Sequence, residues 1–297
     1  MSMRKQLVTT VTRELGCHTD VTLLLGDIGV FGFREAFSLH PERVFNIGIL
    51  EGATISLASG MAKMGLVPIV HTIAPFLVER AYEQIKIDFA YQDHGGNFIS
   101  VGASYDYASL GCTHHCPGDV GILLNIPGME IIVPGTAEEF DSLFNQAYRN
   151  GRPTYFRLSE RENSESLPVQ FGQATVVKRG RKATIVAIGP TLDSVMKATV
   201  DLDVTILYYT TLSPFDSETL SANTCPGSDH LILIEPFYAG TMTSQIITAM
   251  QGRHISLTQI GIPRHFIVNY GKAEEHDAAF GLTVPAIRAT IRELLND

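Results

Sequence analysis

The chain has 297 residues, 45% hydrophobic and 18% charged, with a formal net charge of −9. Such a composition builds folded cores and excludes a disordered chain, and its acidity argues against nucleic acid or an anionic membrane as partner. No apolar run approaches the ~18 residues of a membrane span, and the opening Met-Ser-Met-Arg-Lys-Gln has no signal-peptide core, so a cytoplasmic location is expected.

Residues 6–15 carry a helical pattern leading into Val21–Leu25, a buried strand that ends in Gly26-Asp27-Ile28-Gly29. The carboxyl end of a strand is where open α/β sheets bind ligands, although the Gly-x-Gly-x-x-Gly of a dinucleotide site is missing. Phe45–Leu50 reads as the next strand, and Glu51 opens a helix rich in small residues directly after it. Gly52, Ser56, Ser59 and Gly60 recur at helical spacing and leave one nearly flat face, open to another backbone or a planar ligand. Ile55, Ala58 and Ala62 supply a packing face. At the helix N-terminus the dipole favours the Glu51 anion.

Strands are expected next at Val67–Thr72, Asn97–Val101, Glu130–Val133 and Thr154–Leu158. After the first of these, Ala74-Pro75-Phe76 leads into a helix that places Phe76, Arg80 and Gln84 on one face. Thr136-Ala137-Glu138-Glu139 is a capping box for a helix to about Asn150. Polar, aperiodic Ser159–Gly172 reads as a linker. Beyond it, Ala183–Ile188, Val204–Tyr209, His230–Glu235 and His254–Gln259 read as strands. Gly240–Gln251 and Thr283–Asn296 read as helices, the latter capped by Thr283. The expected fold class is therefore α/β, two doubly wound domains with mainly parallel sheets, over residues 1–165 and 173–297.

Cys17, Cys112, Cys116 and Cys225 are too few and too scattered for a disulfide framework. Cys112-Thr113-His114-His115-Cys116 packs four ligand types into five residues, too short a segment for all to reach one tetrahedral ion. No metal ligand is expected in this chain.

Two stretches in order, Gly48-Ile49-Leu50-Glu51 and, about 25 residues on, Phe76 followed by Arg80-Ala81-Tyr82-Glu83-Gln84, resemble the pyrimidine-binding domain of transketolases and 1-deoxyxylulose-5-phosphate synthases. Thr184–Gly189 and Thr211-Leu212-Ser213-Pro214-Phe215-Asp216 resemble the same family's C-terminal domain, so the likeness runs from about residue 20 to the end. It implies thiamine diphosphate as cofactor, with Glu51 sharing a proton with the pyrimidine ring nitrogen and Phe76 stacking on the ring, where it would otherwise be core. Arg80 and Gln84 are implied to lie near the cofactor or to pair structurally, and Asp27 matches a polar position beside it. His114 falls where relatives carry a histidine that moves protons on the substrate, with His115 in the place of a glutamine. Arg157 or Arg161 would grip a substrate anion.

The chain also departs from that family. Leu110 stands where relatives carry an acid for a sugar hydroxyl, and Glu160 interrupts the anion-binding segment before Arg161. No Gly-Asp-Gly occurs to hold Mg²⁺ against the diphosphate. The resemblance therefore implies the C-terminal subunit of a split transketolase. An N-terminal partner subunit would hold Mg²⁺ and the diphosphate in an α2β2 assembly whose C-terminal subunit also dimerises with itself. The reaction implied is transfer of a short ketol unit from a ketose or oxo-acid donor to an aldehyde. A 2-oxo acid dehydrogenase beta subunit, or a binding protein that kept only the fold, are the alternatives.

Overall fold

The apolar runs of the sequence become the strands of two sheets in the computed structural model, which describes residues 1–225 and 228–296. The first sheet holds β1 (Val21–Leu25), β2 (Val44–Asn46), β3 (Val67–Ile73), β4 (Gly96–Val101), β5 (Glu130–Ile132) and β6 (Pro153–Arg157). The second holds β7 (Thr175–Lys178), β8 (Thr184–Ile188), β9 (Thr205–Tyr209), β11 (His230–Tyr238) and β12 (Ser256–Ile262). One short strand, β10 (Thr211–Ser213), leaves the second unit and pairs antiparallel with β5. The orders are β10-β5-β6-β4-β3-β1-β2 and β12-β11-β8-β9-β7. Every other pairing is parallel except β7 with β9. Helices cover both faces, which is why β1, β6, β8 and β9 are buried at every residue.

Chain order makes the site. From β1 the chain steps to β2 on one side, then returns to β3 on the other. The loops after β1 and β3 therefore diverge and open a crevice at the strands' carboxyl ends. Glu51–Lys63, the helix after β2, packs Ile55 and Ala58 into the core beside Leu77 and Val78. Its small-residue face is covered by backbone: Ser59 Oγ donates to the Asp88 carbonyl at 2.6 Å and Ser56 Oγ to the Asp88 carboxylate at 2.5 Å. A Cβ on Gly52 would stand 3.4 Å from Gln84.

Three expectations change. The strand expected over Phe45–Leu50 ends at Asn46, because Gly48 turns the backbone into the left-handed region at φ +83°. Phe76, Arg80 and Gln84 do not share one regular helix. Pro75–Glu79 is a π-helical turn closed by Arg80 N donating to the Pro75 carbonyl, followed by a bend, a three-residue helix Tyr82–Gln84 and a second π-turn Ile85–Ala90. Arg80 still lies over Phe76, and past the bend Gln84 reaches Gly52; such bulges are frequent at functional sites. Third, Glu139 does not close a capping box back onto Thr136. Thr136 Oγ1 accepts from the Glu139 amide, but the Glu139 carboxylate accepts from Gly135 N, from Leu167 N in the connecting segment and from Tyr208 OH of the second unit. That carboxylate ties the two halves together. No helix of the described residues is long and apolar enough to cross a membrane.

Candidate active site

Glu51 is the first residue of its helix and only 7% exposed. Its Oε1 accepts from Arg80 Nη1 at 3.1 Å. The Arg80 guanidinium also lies 3.9 Å above the centre of the Phe76 ring, so one planar cation touches the acid and the aromatic face together. The His114 ring stands edge-on to Phe76 with centroids 5.3 Å apart, and Tyr107 follows at 6.5 Å from His114. His114 Nδ1 is 3.0 Å from Thr113 Oγ1, which leaves Nε2 for an approaching group. Four of the residues singled out in the sequence, Glu51, Phe76, Arg80 and His114, thus form one continuous row.

Asp27 stands apart from that row. It sits at the carboxyl end of β1 in the left-handed region, φ +67°, held by its amide donating to Asn46 Oδ1 at 3.0 Å and its Oδ1 accepting from Asn46 Nδ2 at 3.2 Å. Short polar side chains tolerate that conformation best.

Arg157 and Arg161, expected to grip a substrate anion, are each paired with a carboxylate of this chain. Arg157 is fully buried and its Nε donates to Asp119 Oδ2 at 2.7 Å, while Nη2 donates to Ser104 Oγ at 2.8 Å. Tyr155 OH donates to the same Asp119 oxygen at 2.8 Å. Arg161 pairs with Asp277 at 2.7 Å and lies over the Tyr105 ring. Both line a cavity of about 80 Å³ between the two units, with Asp106 and Glu235. Burial pushes the Asp106 carboxyl up to about 6 and that of Glu235 to about 7, against backbone amides that favour their anions. Asp119, absent from the sequence reading, is the residue that decides what Arg157 does; its partner lies 38 positions away and no local pattern announces it.

His115 is buried, neither ring nitrogen has a hydrogen-bond partner among the described residues, and desolvation lowers its pKa. It packs against His276 of the second unit at 5.8 Å, away from the Glu51 row. No group of three or more His, Cys, Asp or Glu among the described residues could hold a metal ion.

Against known families, residues 1–165 match the model of the transketolase pyrimidine binding domain and residues 172–287 that of the transketolase C-terminal domain. An uncharacterized 33.6 kDa protein in the fasciation locus of Rhodococcoides fascians is 36% identical over 289 residues, 97% of this chain and 93% of that protein. One subunit of the apulose-4-phosphate transketolase of Actinobacillus succinogenes is 28% identical over 75% of each chain. The 1-deoxy-D-xylulose-5-phosphate synthase of Pseudomonas aeruginosa is 29% identical over 86% of this chain and 42% of its own length. Among solved structures, one described as a split gene transketolase, inactive beta4 tetramer, aligns with a TM-score of 0.84 at 21% identity, covering 100% of this chain and 98% of that one.

Proposed function

We propose, from the premise that this chain belongs to the transketolase family, that it is the pyrimidine-side subunit of a two-chain, thiamine-diphosphate-dependent transketolase. The assembled enzyme passes a short ketol unit from a ketose or oxo-acid donor to an aldehyde. The observation that carries this reading is the planar N–H donor held between Glu51 and the Phe76 face. A pyrimidine ring makes the same two contacts, an N–H to the acid and a stack on the aromatic ring, so these residues fit the pyrimidine end of the cofactor. Arg80 gives way to it readily: its side chain is about half exposed, and a screened pair of that kind is worth about 0–1 kcal/mol.

Thiamine diphosphate, when bound, supplies the carbon nucleophile that takes up and releases the carbon unit. Glu51 shares one proton with the ring nitrogen, and its burial keeps water from competing for that proton. Phe76 fixes the plane of the ring. His114, beyond Phe76, takes and returns hydroxyl protons of the substrate through Nε2.

In this reading the diphosphate end and its Mg²⁺ fall to an N-terminal partner subunit. In support, Ile49, Leu50 and Leu57, around the Glu51 helix, are exposed apolar side chains, the kind of rim a partner covers. The names of two similar proteins, one a transketolase subunit and the other a split-gene product, point the same way. Two copies of each chain, α2β2, is the expected assembly.

Turnover of a ketose donor by the two-chain assembly, against oxo-acid-dependent acylation of a lipoyl group, tests this reading; acylation in place of ketol transfer would replace it. In the same assay His114→Ala lowers kcat by about 10²-fold with little change in cofactor affinity, because His114 faces substrate. A parallel fall in cofactor affinity would contradict that placement.

A further inference from the structure

The loop from Ser104 to Cys116 carries His114, and little inside it fixes its shape. Ser109, Leu110, Cys112 and Thr113 are exposed, and the one side-chain hydrogen bond within the loop, among the described residues, joins Thr113 and His114. Its ends are tied. Cys116 N donates to the Ser104 carbonyl at 2.7 Å, and Arg157 Nη2 donates to Ser104 Oγ at 2.8 Å and to the Cys116 carbonyl at 3.5 Å. Joined ends bring a loop back to its start but do not decide which way its tip points.

The second unit decides that. Tyr105 OH donates to Asp277 Oδ1, and Ser104 Oγ to the Pro236 carbonyl. Tyr238 N donates to the Pro117 carbonyl at 3.0 Å. Tyr270 lies so close to Gly111 that a Cβ there would stand 2.6 Å from its ring. The deepest contact is His115. It is 5% exposed and meets His276 of the Ala273–Phe280 helix, itself 4% exposed, edge to face at 5.8 Å. His276 in turn lies parallel to Phe280 and edge-on to Tyr105 at 5.2 Å. Neighbouring side chains of a turn point apart, so with His115 buried in the second unit His114 is turned toward Phe76.

Neither nitrogen of His115 nor Nε2 of His276 has a hydrogen-bond partner among the described residues. The two imidazoles hold each other by ring packing, an arrangement for neutral rings. Desolvation lowers the pKa of His115 and the neighbouring His276 acts in the same direction, against the carbonyls of Ala108 and Tyr107. Asp277 supplies no counter-ion, because Arg161 and Tyr105 already occupy it. The other titratable groups round the pair are Tyr105, His114 and, beyond Phe280, His265.

We propose that His276 is a positioning residue: through the ring of His115 it fixes the loop 105–115 so that His114 faces Phe76, and a proton on either buried imidazole releases that hold. The consequence for catalysis rests on the reading of His114 as the group that faces substrate; the coupling between the two units does not.

NMR of the full chain tests this, through the ring resonances of His114 and amide exchange of residues 105–115. In His276→Ala the His114 resonances shift and the loop amides exchange about tenfold or more faster relative to those of β3 and β4. His276→Phe, which keeps a ring there, restores the His114 resonances above about pH 7, where an ordinary histidine is neutral. His115→Ala gives the same change as His276→Ala, and the two together add nothing further, the pattern of residues acting in series. A buried ring with a lowered pKa gives stability that is present above about pH 6.5 and is lost as pH falls below it. The wild-type loop therefore loosens with acid beyond the intrinsic effect of pH on exchange, and His115→Phe with His276→Phe flattens that dependence. The wild-type titration needs no variant and stands if one fails to fold. Unmoved loop amides in His276→Ala, additive effects of the two alanine variants, or no loosening of the wild type with acid would overturn the coupling. In the assembled enzyme kcat of His276→Ala falls about tenfold or more, while cofactor C2-proton exchange, which reads Glu51, keeps its rate. Coupling by NMR with kcat unchanged would remove His114 from the substrate and leave the coupling standing.

Discussion

Glu51→Gln lowers turnover of the assembled enzyme by about 10²–10⁴-fold, the size of a lost general acid–base contribution, while the isolated chain unfolds as before. The amide keeps the shape of the carboxylate, and its oxygen still accepts from Arg80 Nη1. Little stability rests on the charge, because Arg80 is about half exposed and solvent screens the pair. What the amide cannot do is share a proton with a ring nitrogen. Exchange of the C2 proton of bound thiamine diphosphate, followed by NMR, reads this step without any substrate. Exchange as fast as wild type would remove Glu51 from the proton's path.

Arg157→Met has the opposite profile, a large loss of stability. Asp119 is completely buried and its Oδ2 accepts from both Arg157 and Tyr155, while Oδ1 has no partner among the described residues. Removing the guanidinium leaves an uncompensated carboxylate in the interior, which costs about 3–5 kcal/mol. Replacing both partners, Arg157→Met with Asp119→Leu, removes the stranded charge and recovers much of that loss. Urea unfolding of the two singles and the double measures the coupling. If Arg157 served mainly to hold a substrate anion, the single variant would raise KM at unchanged stability.

The contrast between these two residues shows what a linear reading reaches. β1, β8 and β9 are nearly continuous apolar runs, because both faces of a covered parallel sheet are dry, and each is legible. β7 and β10 are short edge strands set by pairing with β9 and β5, and their threonines and lysine give no run to see. Glu51 and Phe76 stand out because their neighbours, small residues on one side and an aromatic-cation segment on the other, form local patterns. The π-turn between Phe76 and Arg80 is not legible, since i, i+4 spacing reads as an ordinary helix. Arg157, Asp119, His115 and His276 acquire their surroundings only through topology. His115 lies in a loop of the first unit, and His276 reaches it from a helix near the end of the chain. Nothing within either segment hints at the other.

Calorimetry with thiamine diphosphate and Mg²⁺, on this chain alone and then with its partner present, tests the two-chain arrangement most directly. One stacked ring and one hydrogen bond from Glu51 and Phe76 cannot offset the association entropy of roughly 4–15 kcal/mol. The isolated chain should therefore bind the cofactor weakly or not at all, and tight binding should appear only with the partner. Tight binding and full turnover from this chain alone would contradict its being one half of the site.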